Sequence, residues 1–272
     1  NPAAAALLRE LAAGRATAVP AVVEASGVWD ERGVEATARP DDSGIRLDGA
    51  KAIVPFADAA TRLIVAAREQ TGVSLFLVDP AAPGVTVIPT DNVAALPLHT
   101  VVLDGALVGE ADRLGETGQG WALLGPAMAR GAVIRAAEIA GAGEAMLAMA
   151  VDYAQQRVQF GKPIGVHQAV QYLCTDIAIE SHLTRKLALR AAWLIDTGQP
   201  AEIAVAAAKR YASRASAHMA QQAHEVFAGV AFMMEHDLHL LTRAAKHWEH
   251  DFGDVRHHGE AIVGALERQL LG

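Results

Sequence analysis

Arg157-Val158-Gln159-Phe160-Gly161-Lys162-Pro163-Ile164-Gly165-Val166-His167-Gln168 separates two long helical patterns, one over roughly Gly120 to Gln156 and one over roughly Val166 to Thr197. Gly161, Pro163 and Gly165 interrupt a helix, because Gly frees the backbone while Pro removes a donor and restricts the residue before it. Around the resulting loop stand a permanent cation at Arg157, an aromatic ring at Phe160 and an amide at Gln168. A planar fork of donors suits phosphate, and a ring plus an amide suits a flat nitrogen heterocycle. The stretch therefore has the chemistry of a dinucleotide-binding arm. It also has the composition of an ordinary helix connection, where Gly and Pro are frequent and an Arg is favoured by the preceding helix's carbonyl end.

The chain has 272 residues, enough for two domains and a sizeable core. Its apolar fraction of 52% is rich in Ala, the residue that gives closely packed helices at least entropic cost. Only 5% is aromatic, so Trp121, Trp193 and Trp248 read as individual packing anchors. A net charge of −8 speaks against nucleic-acid binding. The one cysteine, Cys174, reads as a small buried hydrophobe in a reducing compartment. No apolar run reaches membrane-spanning length and no basic leader opens the chain, so a soluble, cytoplasmic protein is expected.

The first residues read as the end of a helix closed by Gly14, giving a region 1–15; the family resemblance set out below implies that this is the end of an N-terminal helical domain expected to be otherwise missing, trimmed or disordered. Over 16–118, short β-rich runs (Thr17 to Val23, Ile53 to Val54, Arg62 to Ala67, Val73 to Val78, Val85 to Pro89) alternate with turn signals. That spacing predicts an antiparallel barrel or sandwich, here taken as a barrel. The domain boundary is expected within Gly115 to Gly120. Over 119–272 the patterns predict four or five antiparallel helices, an up-and-down bundle, with segments Ala201 to Glu225, Glu235 to Asp251 and His257 to Leu271 after the two long ones. The fold class is thus α+β.

The spacing Arg-x-x-Phe-Gly-x-x-Ile-x-x-x-Gln over Arg157 to Gln168 resembles the flavin-contact segment of the acyl-CoA dehydrogenase family. Phe227-Ala228-Gly229-Val230-Ala231-Phe232, followed by Glu235-His236-Asp237-Leu238, is similar to that family's Gly-Gly-x-Gly-Phe turn and the helix after it. The resemblance implies that Arg157, Phe160 and Gln168 reach the pyrophosphate and adenine of a partner subunit's FAD, with Gln159 on the same surface. Glu225 and Gly229 fall where the family has Gln and Gly near that arm. A carboxylate beside pyrophosphate is repulsive, so Glu225 is expected to turn away or to reach ribose hydroxyls. Ala228 and Ala231 replace family glycines.

The same resemblance locates what is missing. Family members take an α-proton with a Glu while the flavin accepts the β-hydride. Aligned on Arg243 to Lys246, the usual position of that Glu is Phe252, and the family's other known position is Gly131. Neither can act as a base; Glu249, Asp251 and Asp254 lie nearby in sequence as candidates for a displaced base, but helical and turn geometry would aim them differently and solvation is the usual fate of a surface charge. Lys51-Ala52-Ile53-Val54-Pro55 stands in place of a flavin-stacking Trp-Ile-Thr strand, and Val23 to Gly27 in place of a Thr-Glu-Pro and Gly-Ser-Asp loop. The pairs His236/His239, His247/His250 and His257/His258 invite a metal reading, but no metal is expected. The implied protein is the subunit of a heteromeric, α2β2 acyl-CoA dehydrogenase that completes a homologous catalytic partner's FAD site, the type known for sterol side-chain thioesters and steroid degradation. A self-sufficient homomeric enzyme with a displaced base and a flavin-free scaffold are the alternatives.

Overall fold

A computed structural model describes Pro2 to Leu271 and divides the chain into two compact units, one ending at Ala127 and one beginning at Met128.

The first unit opens with helix α1 (Pro2–Ala12) and is built on eight strands: β1 (Ala18–Ala21), β2 (Thr37–Asp41), β3 (Gly44–Pro55), β4 (Arg62–Glu69), β5 (Gly72–Val78), β6 (Val85–Thr90), β7 (Leu98–Val108) and β8 (Arg113–Leu114). The strand order is β6-β7-β3-β2-β4-β5-β8, with β1 alongside β4. Strands β3 and β7 form a long antiparallel ladder in which Ile45 and Leu47 face inward and Arg46 faces out, the period-two alternation of a half-buried strand. Leu47, Leu63, Val65, Phe76, Val101 and Leu103 form the core.

The expected antiparallel barrel is not what the pairing gives. Both β1 and β2 pair with β4 in parallel, and among the described residues the terminal strands β6 and β8 are not joined. Alternation reveals which side chains are buried but not which strands are neighbours, and short β2 and β8 carry too few apolar positions to stand out.

The second unit contains five helices: the rest of α2 (Gly120–Gln156), α3 (Gln168–Asp196), α4 (Glu202–Phe227), α5 (Leu238–His250) and α6 (Val255–Leu271). Its core is a seam of Ala with a few large residues: Ala132, Ala136 and Met146 from α2, Ile177 and Ala191 from α3, Ala208, Ala212 and Met219 from α4, and Trp248 from α5. Small side chains on facing helices let the backbones approach, and each large one fills the gap the small ones leave. Of the tryptophans expected to anchor packing, Trp248 is buried, whereas Trp193 is 51% exposed. Among the described residues no helix is long and apolar enough to cross a membrane.

Candidate cofactor arm and blocked base position

Between α2 and α3 the chain forms a two-stranded hairpin, β9 (Val158–Gln159) and β10 (Lys162–Pro163), with Gln159 paired to Lys162. Its two turn residues, Phe160 and Gly161, have φ of +52° and +79°. This is the left-handed turn that matches strand twist, normally made by Asn-Gly. Gly161 adopts it freely; Phe160 does so at a cost of about 1–2 kcal/mol. Phe160 is 90% exposed, and its ring meets His167 edge-on at 6.1 Å between centroids. Strain and exposure thus fall together on this one aromatic residue.

The arm is fastened at its base. Arg157 N–H closes α2 on the Tyr153 carbonyl, and Ile164 N–H returns to the Arg157 carbonyl, both at 2.8 Å. A single turn at Ile164–Val166 leads to His167 and then to Gln168, the first residue of α3. Arg157, Gln159, Phe160 and Gln168 are all exposed on this connection. The second segment lies beside it: Tyr153, in the last turn of α2, stacks on Phe227 at 4.7 Å, and Phe227 on His236 at 4.4 Å. Phe227 ends α4, so Glu225 and Gly229 emerge next to the foot of the hairpin, and both are exposed. Gln221 donates to the Glu225 carboxylate at 3.2 Å. Ala228, one of the two alanines at expected glycine positions, sits at φ +50°, ψ −132°, a conformation natural to glycine.

Gly131 and Phe252, 121 residues apart in sequence, meet in space. A Cβ on Gly131 would lie 2.3 Å from Cε1 and 2.6 Å from Cζ of the Phe252 ring. The ring covers that stretch of α2, and residue 252 has φ of +56°. Its turn is cross-braced by groups the sequence did not single out. Fully buried Lys209 donates to the carbonyls of Trp248 and Gly253, each at 3.0 Å, and to Ser213 Oγ at 2.5 Å; burial lowers its pKa to about 8. Buried His258 holds the Phe252 carbonyl at 2.9 Å through Nε2. Burial pushes its pKa down to about 4, so at neutral pH the ring is uncharged and Nε2–H is the donor. A lone Lys in Ala-Ala-Ala-Lys-Arg and one His of a pair give no signal until the turn is folded onto them.

The three neighbouring carboxylates are engaged elsewhere. Asp251 accepts from Arg135 at 2.6 and 2.9 Å and lies 3.6 Å from His247. Burial pushes its carboxyl up, but His247 and Arg135 outweigh burial and hold it below the usual carboxylate range. Asp254 accepts from the His257 N–H at 2.8 Å and so caps the start of α6. Glu249 lies 3.3 Å from Lys246 on the surface.

In the first unit, the strand compared above with a flavin-stacking one is differently built. Lys51 is fully buried and donates to Glu24 at 2.6 Å and to the Val22 carbonyl at 3.3 Å. The same Glu24 oxygen accepts from the N–H groups of Glu35 and Ala36. An irregularity between Lys51 and Val54 then turns Ile53 outward, 45% exposed at φ +55°. His236 and His239 serve the backbone, His236 accepting from Leu238 N–H and His239 meeting the His236 carbonyl. Among the described residues no group of His, Cys, Asp and Glu has the arrangement of a metal site.

Residues 118–252 match the family described as "Acyl-CoA dehydrogenase, C-terminal domain". Benzylmalonyl-CoA dehydrogenase of Aromatoleum aromaticum is 34% identical over 220 residues, covering 79% of this chain and 58% of that protein. A probable acyl-CoA dehydrogenase of Bacillus subtilis is 30% identical over 273 residues, covering 97% of this chain and 71% of that protein. The solved structure of PigA with FAD and proline superposes with a TM-score of 0.89 at 28% identity, covering 95% of this chain and 70% of PigA. The chain thus spans 58% to 71% of the length of these relatives.

Proposed function

The chain belongs to the acyl-CoA dehydrogenase family, and on that premise we propose that it is an FAD-dependent dehydrogenase subunit that completes the cofactor site of a homologous catalytic partner and supplies no proton-abstracting base itself. The observation that carries this reading is the Phe252 ring lying on Gly131. Both positions that family resemblance assigns to the base are apolar, and the Phe252 ring fills the space a side chain at 131 would need.

The residues present suit the adenosine diphosphate half of FAD. Arg157 offers an always-charged fork of donors to phosphate oxygens. Phe160 offers a ring face on a rigid two-residue turn, and Gln168 an amide able to donate and accept toward a purine edge. Gln159 lies on the same hairpin, Gly229 leaves room for close approach, and the Glu225 carboxylate is held by Gln221. When bound, the flavin supplies the acceptor for a substrate hydride. This chain's share is to hold and orient the cofactor, while the carboxylate that removes the α-proton of a CoA thioester comes from the partner. Bulky thioesters of the sterol side-chain type and an α2β2 assembly complete the proposal.

The test is co-expression with the gene for a homologous subunit, followed by a visible spectrum and subunit mass. A flavin-bearing mixed complex that loses its colour in Arg157→Ala is expected. A homomeric enzyme would be fully active alone, and a scaffold would stay colourless in every combination.

A further inference from the structure

Leu238 is fully buried and opens α5, and two histidines converge on it, one from α4 and one from the turn that follows. Its N–H donates to Nδ1 of His236 at 3.2 Å. Its carbonyl accepts the Thr242 hydroxyl at 3.0 Å, and the Thr242 oxygen in turn lies 2.8 Å from Nε2 of His224. Asp237, the residue just before the helix, makes no side-chain cap, so the imidazole of His236 stands in for one. The rings are packed as well as bonded: His236 lies on Phe227 at 4.4 Å, Phe227 on Tyr153 at 4.7 Å and His224 on Phe232 at 5.0 Å between centroids.

These bonds fix where the ring hydrogens are. A backbone N–H only donates, so Nδ1 of His236 is a bare acceptor. The Thr242 hydrogen is committed to the Leu238 carbonyl, so Nε2 of His224 carries the hydrogen of their contact. Nδ1 of His224 is buried with no hydrogen-bond partner, a place that tolerates a lone pair better than a second N–H. A proton added to His236 sets donor against donor at the positive end of α5, and one added to His224 buries an N–H without an acceptor. His239 differs, because its Nδ1 meets the His236 carbonyl and so donates in either charge state.

We infer that His224 and His236 form an acid-sensitive latch, which when neutral fastens the first turn of α5 to the end of α4 and when protonated releases the connection 228–237. Arg214, His218 and Lys246 line a groove together with His224 and oppose a further positive charge there. Tyr153 faces the stack from α2, and Arg243 follows Thr242 on α5. Glu225, Glu235 and Asp237 are exposed, where solvent screens their attraction for an imidazolium. Burial first, then the neighbouring His236, holds the His224 ring below the usual imidazole range. The unfolded chain thus binds a proton that the folded ring refuses, so the latch is complete at neutral pH and weakens as pH falls. Gly229 lies in the released stretch, so on the cofactor reading given above, opening the latch also loosens the grip on FAD.

Hydrogen exchange of the full-length protein, corrected for the intrinsic effect of pH, tests the latch at pH about 8 and about 5, the span over which imidazoles titrate. Peptides covering residues 228–241 are expected to exchange about tenfold faster at the acid end, the worth of one net hydrogen bond, while those of α3 keep their protection. His236→Asn retains an acceptor for the N–H two residues on, His224→Gln retains a donor for Thr242, and neither side chain titrates. The double variant is therefore expected to stay protected at both pH values. Equal exchange of the wild type at both ends overturns the inference, as does an acid loss that persists in the double variant or spreads equally through α3. Ring nitrogen shifts of the wild type give a check that needs no variant: a neutral Nε2–H form is expected at both histidines at neutral pH, and a proton on Nδ1 of His236 overturns the inference. Flavin retention separates the latch from the cofactor reading, since a latch that opens with flavin still held stands, and the role given to Gly229 falls.

Discussion

At residue 131 two effects compete. Gly in a helix interior costs about 1 kcal/mol relative to Ala, so Gly131→Ala would stabilise α2 if the site were open. The Phe252 ring, 2.3 Å from the new methyl, reverses the sign. Overpacking of this kind costs about 1–3 kcal/mol, so Gly131→Ala should lower the urea midpoint, and adding Phe252→Ala should lift the steric part of that loss. Equal effects of Gly131→Ala in both backgrounds would mean the two residues do not touch.

His258 sets an acid limit on the same turn. Its pKa is lowered from 6.5 to about 4 by burial first, with the neighbouring His257 adding to the effect. Between those values the unfolded chain binds a proton that the folded chain refuses, so stability falls as pH drops from about 6.5 and levels off near 4. Above 6.5 the contribution is fully present. The shift corresponds to about 3 kcal/mol at most. His258→Gln keeps a donor near the Phe252 carbonyl without a titrating ring and should flatten this part of the pH–stability profile, measured by urea denaturation at several pH values.

At the scale of elements, the hairpin and the turn after α4 each hold one of the residues at positive φ, Phe160 and Ala228, and strain there separates stability from function. Phe160→Asn gives the turn its preferred Asn-Gly sequence, so the protein should gain a few tenths to about 1 kcal/mol in thermal or chemical denaturation while its flavin complex weakens. Loss of both would assign Phe160 to folding alone. Ala228→Gly relieves a left-handed alanine and should stabilise by about 1 kcal/mol; a neutral result would show that the φ of +50° carries no cost.

These elements also mark what the sequence discloses. Helix periodicity and the Gly-Pro break predicted α2 through α4 within a few residues, because long Ala-rich runs have one stable conformation. The arm residues were visible as a spacing. Its hairpin was not, since Phe-Gly is a poor sign of a left-handed turn and two-residue strands have no pattern. The sheet's parallel pairings, the burial of Lys51 on Glu24 and the Lys209 brace depend on contacts between distant segments, which no local period encodes.

At the scale of the molecule, the chain presents an exposed cationic and aromatic connection at Arg157 and Phe160, and at the two positions proposed for a base the Phe252 ring lies on Gly131. Division of labour between subunits follows if the arm grips a neighbour's cofactor and the thioester's α-proton leaves to a neighbour's carboxylate. The most direct measurement is anaerobic addition of an acyl-CoA to the flavin-loaded protein, alone and in complex with the proposed homologous subunit, with flavin absorbance as the readout. The account predicts no bleaching for the protein alone and rapid bleaching for the complex. Rapid bleaching by the protein alone, abolished by neutralising a carboxylate of this same chain, would contradict it.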